Sequence, residues 1–291
     1  MANKYHVRSN SFPSGSHPIT NRVEEELTKL KTWEAASTST SESIGTGLFL
    51  LEDLYICLES LLNVASTQKV ISHHQGEKCL EELLDGSVKI LDICGITRDT
   101  MLQIKENVQA LHSALRRRKG DSSIERSVAE YNSFSKKMKK NARKLITTLK
   151  QMDLKFGVSP LLNQDHQLAA LIRVLREVIA INMAIFQSLL SFLAVPTSKS
   201  KATKWFLVAK MMHKGVIACE ENSGNSNELQ CMEASLSTLI SEGTINVEKM
   251  QAARERLEAL ENAIENIENG LENVFRRLIK TRACLLNIMT Q

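Results

Sequence analysis

From Met250 to Leu278 the apolar residues recur at alternating steps of three and four: Met250, Ala253, Leu257, Leu260, Ile264, Ile267, Leu271, Val274 and Leu278. At 3.6 residues per turn this spacing gathers all of them on one stripe of an α-helix, whereas a strand alternates with period two. Four heptads of stripe need an equally long apolar partner. A second copy of the chain could supply it as a coiled coil, or other helices of the same chain could supply it as a bundle. The bundle is preferred because the rest of the chain offers many further apolar faces. A homodimer stays open.

Those further faces read as follows. Val23, Leu27, Leu30 and Trp33 form a short stripe, with Thr20 placed to cap its helix. "ASTSTSESIGTG" then reads as a linker. An almost wholly apolar helix follows from Leu48 to about Ala65. Residues 77–116 read as one long or once-broken helix, with Gly95 as the expected break and Gly120 as its end. Ser122 and Glu125 have capping-box spacing ahead of a stripe running from Ile124 to Met152, whose outer face carries "KKMKKNARK". A turn surrounds Pro160, a helix spans about 165–195 and stops at Pro196, and another covers about 202–220. A short helix starts near Glu228, ahead of the long C-terminal one. Aromatic residues make up only 4% and there are four prolines, so aliphatic side chains on helices must build the core. The expected fold is all-α, a bundle of long amphipathic helices with a coiled-coil-like C-terminal helix. Residues 1–19 read as a disordered tail and 20–291 as a single helical domain, with a sub-boundary near 155–165.

The chain carries no Gly-rich phosphate loop, no HExxH, no GxSxG and no paired acidic motif. Its six cysteines include no CxxC pair and read as buried reduced thiols. His73, His74 and Cys79 lack a second ligand pair at zinc spacing, so neither metal nor cofactor is expected. The expectation is a protein that is not an enzyme. The start "MANKYHVRSN" has no apolar core of a secretory signal. The expected location is the cytoplasm, with nuclear entry, membrane association and organelle import as alternatives.

Residues 178–219 contain no acidic residue. Their first part, "VIAINMAIFQSLLSFLAV", approaches the length at which a membrane span must be weighed, but Asn182, Gln187, Ser188 and Ser191 favour a buried core helix. The second part, "KSKATKWFLVAKMMHKG", places Lys204, Lys210 and Lys214 beside Trp205, Phe206 and Met211. That mixture suits calmodulin or an anionic membrane surface, but a bundle helix with solvated lysines is the preferred reading. A membrane-associated helical protein using residues 178–214 is therefore the alternative reading of function. The cluster from Lys136 to Lys144, with Arg116, Arg117, Arg118 and Lys119 upstream, has no nearby aromatics for base stacking; it reads as a solvated face, and nucleic acid is not an expected partner.

Four stretches together, "HVRSNSFPSGSHP", the helix ending at Trp33, "KATKWFLVAKMMHKG" and "FRRLIKTRACLLNIMTQ", resemble the plant-specific BYPASS-related family. The resemblance covers nearly the whole chain. It implies an intracellular plant protein linked to organ and root development, and it implies no catalytic activity, cofactor or ligand. Family members often carry a second basic residue in the opening motif where this chain has Gly15.

Within that opening, Arg8, Ser9, Asn10, Ser11, Phe12 and Pro13 spell R-S-x-S-x-P. With a phosphate on Ser11, the pattern suits 14-3-3 proteins, whose basic groove takes the phosphate while Pro13 turns the chain out. Pro13, Pro18 and Gly15 disfavour a helix and leave the serine accessible to a kinase. The expectation is a non-enzymatic helical interaction protein of plant developmental or stress signalling, with a phosphorylation-controlled N-terminal docking motif.

Overall fold

A computed structural model of the chain describes residues 18–38, 40–117, 121–156, 165–194, 227–241 and 247–290. Among these residues the chain forms eight α-helices and no strand: α1 (Pro18–Ala36), α2 (Ser41–Leu62), α3 (Ala65–His73), α4 (Lys78–Arg116), α5 (Asp121–Phe156), α6 (His166–Ala194), α7 (Glu228–Ser241) and α8 (Val247–Met289).

The C-terminal helix α8 is the axis of the bundle and packs against α2, α4, α7 and the short α3. Leu257, Leu260, Ile264, Ile267, Leu271 and Val274 are fully buried, and Leu285 and Ile288 continue the stripe beyond Leu278. Other helices of the same chain thus cover the seam. Side-chain partners give the directions. Leu115 and Arg254, His112 and Glu261, Lys105 and Glu268, Arg98 and Glu272, and Leu84 and Arg282 meet in reverse order, so α4 runs antiparallel to α8. Leu48 lies against Gly270, Glu52 meets Asn273 and Glu59 meets Lys280, so α2 runs parallel to it.

The first hairpin differs from the expectation drawn from its small polar residues. Helix α1 begins at Pro18, whose fixed φ suits a first helical position, and Thr20 lies buried inside the helix rather than capping it. The stretch expected to be a linker is largely helical: α2 starts at Ser41, with Thr40 as its N-cap accepting a hydrogen bond from the Ser43 amide. Trp33 Nε1 donates to the Ser43 carbonyl at 2.8 Å, and its ring lies across Gly47, where a Cβ would stand 2.5 Å from Trp33 Cζ2. The glycine and its small neighbours therefore serve a close helix crossing.

Two further differences concern continuity. Residues 65–73 form α3, anchored by the buried Ile71, and Gly76 at φ +86° makes the left-handed turn into α4. Helix α4 runs unbroken for 39 residues through Gly95. A Cβ there would be 3.9 Å from the Phe275 ring, so the aromatic from α8 covers the position while Arg98 lies 4.4 Å over the same ring. Since α5 already begins at Asp121, Ser122 falls within its first turn rather than ahead of it.

Helix α6 packs against α5, α4, α2 and α1, and most of its side chains from Val178 to Ala194 are buried in the shared core. The uncharged run that invited a membrane span is thus a core helix. Among the described residues no helix is long and apolar enough to cross a membrane. Its end is fastened to α7 by Asn227, which is 3% exposed. The Asn227 Oδ1 accepts from the Gln230 amide and the Gln230 Oε1 accepts from the Asn227 amide, both at 3.0 Å, which is a capping box. The Asn227 Nδ2 donates to the Phe192 carbonyl at 2.8 Å, satisfying one of the last carbonyls of α6.

Candidate functional site

Interior polar groups hold the helices in register. Glu233 on α7 is almost wholly buried and accepts from Ser135 Oγ at 2.5 Å and Lys139 Nζ at 2.6 Å, both on α5. Tyr131, one turn below Ser135, is also buried. Desolvation, with Glu233 nearby, pushes its hydroxyl pKa up. Glu59 on α2 draws Arg277 and Lys280 of α8, the latter at 2.6 Å. Ser41 at the start of α2 donates to Glu228 at the start of α7. Glu233, Glu59 and the Ser41–Glu228 pair each join two helices, whereas the buried Tyr131 hydroxyl has no hydrogen-bond partner among the described residues.

The sequence-derived sites fall in different places. Arg8, Ser11 and Pro13 lie outside the described residues, as do Lys204, Trp205, Phe206, Lys210, Met211, Lys214 and the expected helix over 202–220. His73 and His74 stand edge to face at 5.1 Å, with His74 Nε2 3.9 Å from Asp165 Oδ2. Among the described residues no group of three or more His, Cys, Asp or Glu could hold a metal ion. Cys57 and Cys94 are buried thiols and Cys284 a partly buried one, while Cys79 is buried and Cys231 partly buried. Burial raises the thiol pKa of Cys57 and Cys284, and pushes that of Cys94 up to about 12, against the nearby Arg98, which lowers it. A thiol held in its neutral form is a poor nucleophile.

The outer faces of α4 and α5 carry charge, beside exposed apolar side chains such as Phe49 on α2 and Ile96 and Leu102 on α4. On α5, Lys136, Lys137, Lys140, Arg143, Lys144 and Lys150 are exposed, and residues 131–152 include no acidic side chain. Those five lysines have no hydrogen-bonded or ionic partner among the described residues, in contrast to Lys139, whose charge is spent on Glu233. On α4, Asp85, Asp92, Asp99 and Glu106 recur every seven residues on the exposed face, and they too are without partners among the described residues. The two helices of one hairpin therefore carry outer faces of opposite sign that do not neutralise each other.

The basic face has a defined neighbour. Arg143 donates to the Ala194 carbonyl at 3.1 Å, so the face borders the C-terminal end of α6, beside the Asn227 clasp. The local sequence pattern of α5 is that of a solvated face, and those five lysines are exposed as that pattern implies. The signal that pattern lacks is tertiary: nothing in "KKMKKNARK" announces that its arginine meets the end of a helix fifty residues further on.

A protein-family model described as Protein BPS1 matches residues 47–288. The match runs from the start of the Gly47 crossing to the last buried residue of α8, so α1 and the R-S-x-S-x-P stretch precede it. No curated protein and no solved structure matches the chain.

Proposed function

This chain belongs to the BPS1 family, and from that premise we propose that it is a non-enzymatic helical interaction protein of plant developmental or stress signalling. The observation that supports the reading is the pair of unneutralised charged faces on α4 and α5, carried on helices that ion pairs hold in place, buried for α5 at Lys139–Glu233 and half-buried for α4 at Arg98–Glu272 and Lys105–Glu268. A rigid surface with unspent charge is suited to recruiting partners of opposite sign, because steering by such faces raises the rate of encounter. Ser11 would add control: its phosphate brings about −1.5 to −2 charges to a segment with no acidic residue of its own. A 14-3-3 dimer is the partner that the R-S-x-S-x-P spacing fits.

Partner capture from plant tissue with the intact chain and with Ser11→Ala, combined with phosphosite mapping, tests this. A 14-3-3 protein recovered only with the intact, Ser11-phosphorylated chain supports the docking motif. Identical partners from both baits would remove the tail from the mechanism and leave the helical faces as the recruiting surface.

A further inference from the structure

We propose that the lysine face of α5 seats this protein on the surface of an anionic lipid bilayer. The proposal rests on the preceding one only in taking that face as a contact surface, and it is independent of Ser11. Lys136, Lys137, Lys140, Arg143, Lys144 and Lys150 are all exposed over about 21 Å of one helix. Glu233, the carboxylate that α5 meets in the core, is already committed to Lys139 and Ser135. Helix α6, which the face borders through Arg143, has no acidic residue from 178 to its end at Ala194. The acidic residues of α4 belong to the other arm of the hairpin.

The segment 195–226 lies outside the described residues and enters only through its sequence and its described flanks. Residues 195–226 depart from Ala194, whose carbonyl Arg143 holds, and return at Asn227, whose side chain is bonded to Phe192. Both ends of that segment therefore lie at the edge of the lysine face. Its sequence carries Lys199, Lys201, Lys204, Lys210 and Lys214, with Trp205 and Phe206, and no acidic residue before Glu220.

The composition of the face selects the occupant. Five lysines to one arginine are point charges without the planar fork that favours one fixed carboxylate or phosphate geometry, which suits a fluid layer of anionic headgroups. The exposed row contains no aromatic ring on which a base could stack. Attachment through charge alone is peripheral and weakens as salt shortens the screening length.

Co-sedimentation of the full-length protein with phosphatidylcholine vesicles, with and without phosphatidylserine, tests the proposal. The expected result is pelleting only with phosphatidylserine, reversed on raising ionic strength from about 0.05 to about 0.5 M. The triple variant Lys136→Glu, Lys140→Glu, Lys144→Glu should lose at least about tenfold in vesicle partitioning with an unchanged circular dichroism spectrum, since these side chains have no partner to lose among the described residues. A second triple variant, Lys204→Glu, Lys210→Glu, Lys214→Glu, separates the contribution of the neighbouring segment. Full binding by the α5 variant, with loss confined to the second, would overturn the assignment to α5. Equal pelleting with neutral vesicles, or binding to a DNA duplex or an acidic peptide but to no vesicle, would overturn the lipid assignment.

Discussion

Gly47 decides how closely the first two helices can meet. Trp33 fills the space a side chain would need there, and its indole N–H is spent on the Ser43 carbonyl one turn earlier in α2. Gly47→Ala would place a methyl group within 2.5 to 3.0 Å of three ring atoms, so either the indole or all of α1 must move. We expect a loss of about 1–3 kcal/mol, as for other overpacked contacts, together with altered Trp33 emission. Gly45→Ala is the internal control. It sits two residues earlier in the same helix, where a methyl group would meet nothing within 4 Å, and alanine there should stabilise by about 0.5–1 kcal/mol through helix propensity. Urea unfolding of the two variants gives opposite shifts of the midpoint if the crossing is as described, and parallel shifts would refute it.

At the scale of elements, the Asn227 clasp shows how one polar side chain can organise a junction. It closes a capping box on α7 and satisfies a terminal carbonyl of α6. Asn227→Ala removes both functions and should cost about 1–2 kcal/mol, with the Phe192 carbonyl left short of a partner. Asn227→Asp retains an acceptor for the Gln230 amide but cannot donate to Phe192. Thermal unfolding should therefore rank wild type above Asp and Asp above Ala; an Asp variant as stable as wild type would assign no stabilising role to the inter-helix bond. The same scale explains what was legible in the sequence. The seam of α8, the stripe of α5 and the apolar run of α6 were readable because each repeats a local period over many turns. The beginning of α2 was not, because "SESIGTG" is helical where Thr40 caps it and Trp33, some ten residues back, covers it. Gly95 looked like a break because its cover, Phe275, is 180 residues away. The basic face was visible as charge, whereas its position beside Ala194 depended on packing that no local pattern encodes.

Over the whole molecule, the seam could have served either assembly or folding, and the packing assigns it to folding. Ile264 lies at the centre of α8 and is fully buried, and the helix around it is covered by α2, α4 and α7 of its own chain. A carboxylate at this position would have to be buried without a partner, which costs more than about 4 kcal/mol and exceeds what most single substitutions do. Ile264→Asp should therefore abolish cooperative unfolding of the chain, with loss of helical circular dichroism and increased protease sensitivity at every concentration. Had the seam been a contact between copies, the same change would leave a folded monomer and alter only the sedimentation coefficient. The distinction matters for function, because a seam consumed inside the bundle leaves recognition to the outer faces. On α4 and α5 those faces are charged, opposite in sign and carried by helices whose buried sides are already fixed. Charge reversal on α5 should then change binding without changing the fold, whereas substitution in the seam should change both.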